Sequence, residues 1–539
     1  MSDYTRARTP FTAMSFTPDV PSNALGPQEY NAGLNVESDV RGIKKIFGEQ
    51  EILTAVSNYA IFMEGGFRSE TNWVYIVATR DSSDHGRWYM VTTSGVSNIT
   101  PGVGSNPSVY LSGYKAGLNI TTSWVGNVFF INDTLNNPMY FLPTSNEITI
   151  TSDASWNYES PLGVTKTTAG FVRNYCSPNV GNILIAGNLT KTISGVEHNY
   201  PTTVRWSQAF ANTGYPSTWE PTLTNVANEQ EVPVRGPLID GFFLGANFYV
   251  CSYWDTVVFS PIAYQNSTAP IFGVRLLNQG RGLLNNNCWT NTDANVYGID
   301  ARDIWVFDGA SFTSIGNQRV KDYFFNNLNP TYYDRVFMVN NTQKYQIEIY
   351  YPDLTSTGWC NKMLSYRYDL QVWNAPKTIQ NACMGTEGPK VVSGAFNLAS
   401  RTVAYARGDI ASSKLIQTNV GNSFINNTPI PALFERQNMT LQTDKGPVPY
   451  SSKVYVHRVL PEISGTGTIN ITVGGANSTA QAPIYGQTGT ASIDTNTPWT
   501  TTQQQAVRTV SVKVESNNAT HPWNLTALNW QTTIVEDAF

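Results

Sequence analysis

An all-β chain, built as a β-propeller of about six to eight blades with an N-terminal extended arm and a C-terminal antiparallel sheet or sandwich, is the fold this sequence predicts. Three observations predict it. Short strands rich in β-branched and aromatic residues recur along most of the chain, bounded by Gly, Asn, Asp and Pro. Hairpin-sized units return at a spacing of roughly 40–60 residues, a blade-like period. Helical periodicity is scarce: Val320, Tyr323, Phe324 and Leu328 fit one short amphipathic helix, which Pro330 would stop.

Taken in order, residues 1–60 read as an arm with few regular elements, because Pro10, Pro18, Pro21 and Pro27 forbid a long helix. The basic cluster Arg41, Lys44 and Lys45 at its end reads as a solvated turn in preference to a DNA or partner contact. Residues 61–430 read as the propeller. Trp73 to Thr79 pairs with Trp88 to Thr93 across the polar turn 80–87. Ser123 to Asn132 is followed by Met139 to Leu142, then by Asn182 to Ala186 and Thr203 to Ser207. Gly241 to Leu244, Phe248 to Cys251 and Thr256 to Phe259 come next, and Val296 to Ile299 leads into Ile304 to Phe307. Asp308-Gly309 is a hairpin signal, since Asp-Gly supplies the positive φ of a tight primed turn, and Gly245-Ala246-Asn247 can do the same. A propeller hides the sheet edges of such a long β array, and a run of β-sandwiches is the competing arrangement. Residues 431–539 form a different unit. Lys453 to Leu460, Gly467 to Val473, Val507 to Val514 and Trp523 to Trp530 alternate with period two, the signature of a half-buried sheet. The Gly-, Ala-, Thr- and Gln-rich loop 474–504 has little to pack and is expected to lie against another subunit.

Composition narrows the chemistry. The 539 residues are 41% hydrophobic and 12% aromatic, enough for a large core, but only 14% charged, against roughly 25% in ordinary soluble proteins. The net charge of −5 argues against a nucleic-acid grip, which needs a basic face. Five cysteines, Cys176, Cys251, Cys288, Cys360 and Cys383, are odd in number and never Cys-x-x-Cys, so they read as buried free thiols of a chain folded in a reducing cytoplasm. The N-terminus has no apolar h-region and reads as no signal peptide. The apolar run Gly241 to Cys251 is far short of the ~20 residues that span a bilayer.

No cofactor or metal site is read. The four histidines, His85, His198, His457 and His521, lie apart from one another and from any Cys or Asp in ligand spacing. No phosphate-binding loop, nucleophile elbow or dinucleotide fingerprint occurs. Paired carboxylates for glycoside hydrolysis meet in space, and no pair stands out in sequence. Ser82-Ser-Asp84-His-Gly86-Arg-Trp88 resembles the Asp-box of sialidase-type propellers but is one residue short and occurs once, so it reads as a hairpin turn. Arg407-Gly408-Asp409 reads as a chance tripeptide.

One resemblance covers most of the chain. Phe16-Thr-Pro-Asp-Val-Pro21 with Tyr30 to Asn35 and Lys45 to Gly48, then Trp124 to Asn132 with Asn137-Pro138, open the series. The most specific motif is Val204-Arg205-Trp206-Ser207 with Pro216 to Trp219. Asp303 to Gly309, including Asp308 and Gly309, pairs with Gly316 to Tyr323, including Arg319, Val320 and Asp322. Glu348 to Pro352 and the Tyr366 to Trp373 strand follow, and Arg458 to Ile463 with Val512 to Val514 close the chain. In this order the motifs resemble the nozzle (tail tube or tail hub) proteins of short-tailed bacteriophages. The resemblance implies a non-enzymatic virion structural protein, folded and assembled in the host cytoplasm into a hexameric ring. It implies an adaptor ring protein, tail fibres or tailspikes and a needle or plug protein as partners, non-specific passage of double-stranded DNA, and contact with the host cell envelope. The motif residues are then structural, with Trp206 and Trp219 packing within one blade and Arg205 satisfying backbone carbonyls or a carboxylate. A carbohydrate-binding or sialidase-like propeller, with Asp84 on the sugar face, is the alternative. A host-receptor spike is a third reading, against which stands the lack of a short repeat period.

Overall fold

Five four-stranded antiparallel meanders follow one another from Tyr59 to Ser314, each strand paired with the next in sequence. The computed structural model describes residues 4–177, 180–262, 271–412, 414–444, 446–478, 481–493, 506–516 and 521–536. The first blade is Tyr59–Ser69, Asn72–Arg80, His85–Thr92 and Gly95–Asn98, with the short Leu111–Ser112 at its side. The second runs from Thr121–Val125 to Thr149–Ile150, the third from Val164–Ser177 to Asn228–Glu231. The fourth runs from Leu238–Leu244 to Phe272–Gln279 and the fifth from Trp289–Asn291 to Phe312–Ser314.

The next sheet holds two blades. Its seven strands run Phe337–Asn341, Gln346–Tyr351, Cys360–Arg367, Val372–Val392, Ala395–Arg407, Leu415–Thr418 and finally Glu49–Ile52. The 21-residue strand Val372–Val392 is broken by register shifts near Ala382, beside the positive φ of Asn381. Its first half pairs with Cys360–Arg367 as the outer strand of a sixth blade, and its second half pairs with Ala395–Arg407 as the inner strand of a seventh. That second half lies against the inner strands of the sixth and first blades, so the ring closes at seven. The closing outer strand, Glu49–Ile52, comes from the N-terminal segment, so the two ends of the propeller are joined by backbone hydrogen bonds.

Many blade strands are apolar on both faces, because each blade is covered on both sides by its neighbours. Trp73 to Thr79 is continuously buried, as is Val128–Asn132. This explains the aromatic runs that lack period-two alternation. The hairpin Asn72–Arg80 with His85–Thr92 has the expected pairing, Trp88 opposite Ala78. Gly245 (φ +59°) and Ala246 form a two-residue loop that pairs Leu244 with Asn247. Asp308-Gly309 departs from the tight turn expected of it. The loop has four residues, Phe307 pairs with Phe312, and Asp308 Oδ1 accepts from the N–H groups of Ala310 (2.8 Å) and Ser311 (2.7 Å). An Asx turn at Asp308 therefore replaces the primed turn. The expected helix is Lys321–Asn327, with Val320, Phe324 and Leu328 buried.

The C-terminal unit is a sandwich of two sheets. One is built on Trp523–Glu536, flanked by Ser452–Gly465, Thr5–Pro10 and Gly42–Lys45. The other runs Ala32–Leu34, Ala432–Met439, Thr509–Ser516, Thr468–Ala476 and Ile484–Ser492. Alternating residues such as Val454, Val456, Ile471, Val512 and Trp530 share its core. Part of the loop 474–504 is thus strand, and its residues 479–480 and 494–504 lie outside the described residues.

The N-terminal segment differs most from expectation. It contributes strands to both sandwich sheets and to the seventh blade. Its prolines exclude helix but leave short strands between them, and those strands carry too many polar residues to show alternation. Lys44 and Lys45 lie in the strand Gly42–Lys45, with Lys45 buried, so of this basic cluster only the exposed Arg41 stands in a turn. The arm's aromatic rings join the two units: Phe11 and Tyr30 meet Phe434 (both 5.1 Å between centroids), and Phe16 meets Tyr323 (5.3 Å). One apolar core runs from the sandwich through these rings to Trp305 and Trp373 of the propeller.

Candidate functional site

The propeller axis is where side chains of several blades converge. Arg173, on the inner strand of the third blade, makes a two-pronged pair with Asp240 of the fourth (Nε–Oδ1 2.8 Å, Nη2–Oδ2 2.6 Å). Its remaining donors reach the Thr122 carbonyl (2.7 Å) and Asn287 Oδ1 (2.8 Å). Asp240 also accepts from Trp289 Nε1 (2.8 Å). Beside this network is a cavity of about 310 Å³ whose lining includes Glu64, Trp289, Asn340, Thr386 and Glu387. Glu64 Oε1 accepts from the Thr386 hydroxyl (2.8 Å) and the Gly65 N–H (2.9 Å), and burial raises its carboxyl above the usual range. Glu387 Oε1 accepts from the Thr342 N–H and hydroxyl (2.6 and 2.7 Å). The cavity has the size of a small-ligand site.

The motif residues fall at joints of the framework. Arg205 is fully buried and donates to Glu229 Oε2 (2.7 Å), Glu159 Oε2 (2.6 Å) and the Trp156 carbonyl (3.0 Å). Its guanidinium also faces the rings of Trp156 and Tyr158. Lys191 bridges the same two carboxylates (2.9 and 2.8 Å), giving a neutral four-charge cluster. Burial opposes the charge of Glu159, but the Lys191 bond and Arg205 together hold its carboxyl below the usual range. Trp206 and Trp219 do not meet. Trp206 packs toward Phe272 of the fourth blade (5.3 Å) and donates to the Val226 carbonyl (2.7 Å), whereas Trp219 sits edge-on to Trp156 (4.7 Å). They belong to separate cores, because adjacent blade faces receive them. Ser207 Oγ ties the strand Gly181–Ile193 to the segment that follows Trp206, accepting from the Leu184 N–H and donating to the Gln208 carbonyl.

Asp308 and Gly309 stand at an outer hairpin tip. Arg319 reaches the Gln371 carbonyl (3.1 Å), Val320 is buried, and Asp322 is exposed. Glu348 is buried and accepts from Asn341 Nδ2 (2.8 Å) and the Tyr350 hydroxyl (2.7 Å). Trp373 is buried and donates to the Ile315 carbonyl (2.8 Å). The structure does not gather these residues into one site; it distributes them over the third, fifth and sixth blades.

Three arm residues that sequence reasoning did not single out lie at joints of the fold: Asp19 and Glu37 tie the arm to the propeller, and Glu49 stands in the strand that closes it. Asp19 caps the helix, accepting from the N–H groups of Asp322 and Tyr323 (both 2.8 Å). Glu37 is buried and shared by Lys344 (3.0 Å), Lys377 (3.1 Å) and Lys44 (3.5 Å). Burial opposes its charge, but Lys344, Lys377 and Lys44 hold its carboxyl well below the usual range. Glu49, in the closing strand, is pushed up to about 8 by burial, against an opposing bond from Tyr405. Only the Asp-Val-Pro motif around Asp19 gave any signal, since a lone Glu between strands carries none.

The other candidates are framework. Asp81, and not Asp84, organises the Asp-box-like turn through the N–H groups of Ser83 and His85 (2.8 and 3.0 Å). Arg407 and Asp409 pair with each other (2.7 Å). Four of the cysteines are buried and free, while Cys176 is exposed, at odds with a wholly buried set. Among the described residues no three acid, histidine or cysteine side chains gather as metal ligands.

No protein-family model and no curated protein sequence matches the chain. Among solved structures, a chain of the crystal structure of the mitotic checkpoint complex is similar at 8% identity and a TM-score of 0.36, covering 69% of this chain and 91% of that one.

Proposed function

We propose that this chain is a virion structural protein, the subunit of a ring-shaped nozzle at the distal end of a short phage tail. In this reading about six copies close a ring through a heterologous contact. The ring carries the adaptor above it, fibres or spikes at its side and a needle or plug at its tip, and double-stranded DNA passes through non-specifically.

The observation that carries the reading is the threading of the arm. One N-terminal segment supplies strands to both sandwich sheets and closes the seventh blade, so propeller and sandwich share one core. A wall that must hold its shape during genome ejection needs such a body, without a flexible linker between its parts. Large apolar side chains stand exposed on different elements, Leu162 and Leu223 on the third blade segment and Ile484 on the outer sandwich strand. Exposed apolar side chains on two unlike elements suit a heterologous contact. The axial cavity, about 310 Å³ and lined in part by Arg173, is far too small for a duplex. A DNA passage would therefore lie between copies.

The alternative, a carbohydrate-binding propeller, draws on the same cavity, where two carboxyl groups lie near Trp289. Solution mass by light scattering, then imaging with and without the adaptor ring, separates the readings. Rings of about six subunits, alone or on adaptor, are expected. A monomer that ignores the adaptor and binds a glycan array would overturn the nozzle reading.

A further inference from the structure

A second cavity, of about 220 Å³, opens where the arm meets the sixth and seventh blades. Phe47 of the arm, Asn341 and Lys344 of the sixth blade, and Lys390, Arg401 and Thr402 of the seventh contribute to its wall. Three of its lining residues are cations and none is a carboxylate. The acids that interact with these residues are already bonded elsewhere. Glu37 is divided among Lys344, Lys377 and Lys44, and Asp39 pairs with Lys44 (3.0 Å). Glu348 is bonded to Asn341 Nδ2, and Glu387 is bonded to Thr342 while lying close enough to Arg401 to feel its charge. Two carboxylates, Glu37 and Asp39, face the three ammonium groups of Lys344, Lys377 and Lys44, which leaves one positive charge unmatched. Burial, together with the like charges of Lys377 and Lys44, accordingly brings Lys344 down to about 8. Lys390 has no ion-pair partner among the described residues. Arg401 lies over the rings of Trp73 (5.3 Å) and Phe67 (5.7 Å), a stacking that leaves the guanidinium edge open to an acceptor.

From this surplus of fixed positive charge in a concave wall, we propose that the cavity binds a phosphoryl anion, held by Lys344, Lys390 and Arg401. Its volume equals roughly seven waters at about 30 Å³ each, room for one or two phosphoryl groups while the rest of a larger molecule projects outward. Arg presents the planar fork that fits two phosphate oxygens, and the lysines supply point charge. Because the wall is built from the arm and both blades of the closing sheet, a bound anion would also brace the closure of the ring.

The test uses the full chain and pyrophosphate, with acetate at matched ionic strength as control. Calorimetric titration and thermal melting are expected to show pyrophosphate binding and stabilisation that acetate does not give. Lys390→Gln and Arg401→Lys should each weaken binding by roughly tenfold, while the ligand-free melting temperature stays unchanged in Lys390→Gln. Pyrophosphate acting no better than acetate, or binding Lys390→Gln as tightly as the parent, would overturn the site. Vesicles bearing a phosphomonoester headgroup identify the source. Co-sedimentation that pyrophosphate competes away and Lys390→Gln loses supports a lipid headgroup. Binding in solution without co-sedimentation supports a free anion. Co-sedimentation that persists in Lys390→Gln counts against the proposal.

Discussion

Replacing Arg205 with Met keeps much of its volume and removes its charge, which isolates the electrostatic role of the third-blade cluster. In the parent, two carboxylates face two cations, Arg205 and Lys191. In the variant Glu159 and Glu229 share Lys191 alone, and the Trp156 carbonyl loses its donor. Removing one partner of a buried pair costs about 3–5 kcal/mol, because the other charge is stranded. The two carboxylates are 17% and 21% exposed, so water relieves part of this and the lower end, about 3 kcal/mol, is expected. Equilibrium denaturation followed by tryptophan fluorescence measures it, since Trp156, Trp206 and Trp219 all lie in or beside the cluster. A second variant, Arg205→Met with Glu229→Gln, restores neutrality and should recover on the order of 1–2 kcal/mol of that loss as a coupling energy. The cluster also gives a pH signature. The carboxyl of Glu159 is depressed on folding, so its contribution is complete above the unfolded value near pH 4.3 and disappears as pH falls through the lower folded value. Arg205→Met should shrink this acid limb. A destabilisation under ~0.5 kcal/mol, or a double variant that is simply additive, would refute the account of Arg205 as the charge that holds this blade.

Three further outcomes are expected. Glu49 is protonated in the fold up to about pH 8 and ionised in the unfolded chain above about 4.3, so the folded state binds the extra proton between those values. Stability should therefore fall as pH rises from about 4.3 to 8, by on the order of 5 kcal/mol at ~1.36 kcal/mol per pH unit, and Glu49→Gln should flatten that slope in a pH series of denaturant melts. Gly298 faces Trp305 across the fifth blade, and a Cβ there would lie 2.4 Å from the indole, so Gly298→Ala should cost about 1–3 kcal/mol by thermal melting. Removing residues 1–52 strips strands from both sandwich sheets and opens the seventh blade; the truncated chain should be insoluble or bind a hydrophobic dye, and a soluble, cooperatively melting product would contradict the closure described here.

What was legible in the sequence was local. Aromatic strands, the 73–93 hairpin, the Lys321–Asn327 helix and the alternating C-terminal strands all follow from spacing within about ten residues, where side-chain period and turn chemistry act directly. The closure was not. Glu49–Ile52 pairs with Leu415–Thr418 across more than 350 residues, and nothing in Glu-Gln-Glu-Ile marks it as a strand. The division of the last sheet into two blades was hidden for a related reason: Val372–Val392 contains Pro376 and Pro389 and no turn between its halves, so one strand serves two blades. Arg205 could be singled out only by resemblance. Its partners, Glu159 and Glu229, lie in loop and edge-strand sequence that gives no sign of a buried charge.

The arm gives the chain an order of assembly as well as a shape. Thr5–Pro10 can pair with Trp523–Glu536 only after that later strand has been made, and the apolar rings of Phe11, Phe16 and Tyr30 have no core until Phe434 and Tyr323 are in place. Contacts of such sequence separation form late and slowly. The buried Glu37 meets its lysines on the same schedule, since Lys344 and Lys377 belong to the sixth blade and the long strand that leaves it. A chain built this way does not complete the surface of its sandwich until residues 523–536 are in place. On the proposed ring reading, a contact that uses both propeller and sandwich would form only once residues 523–536 are in place, a physical means of keeping partly made copies out of the assembly.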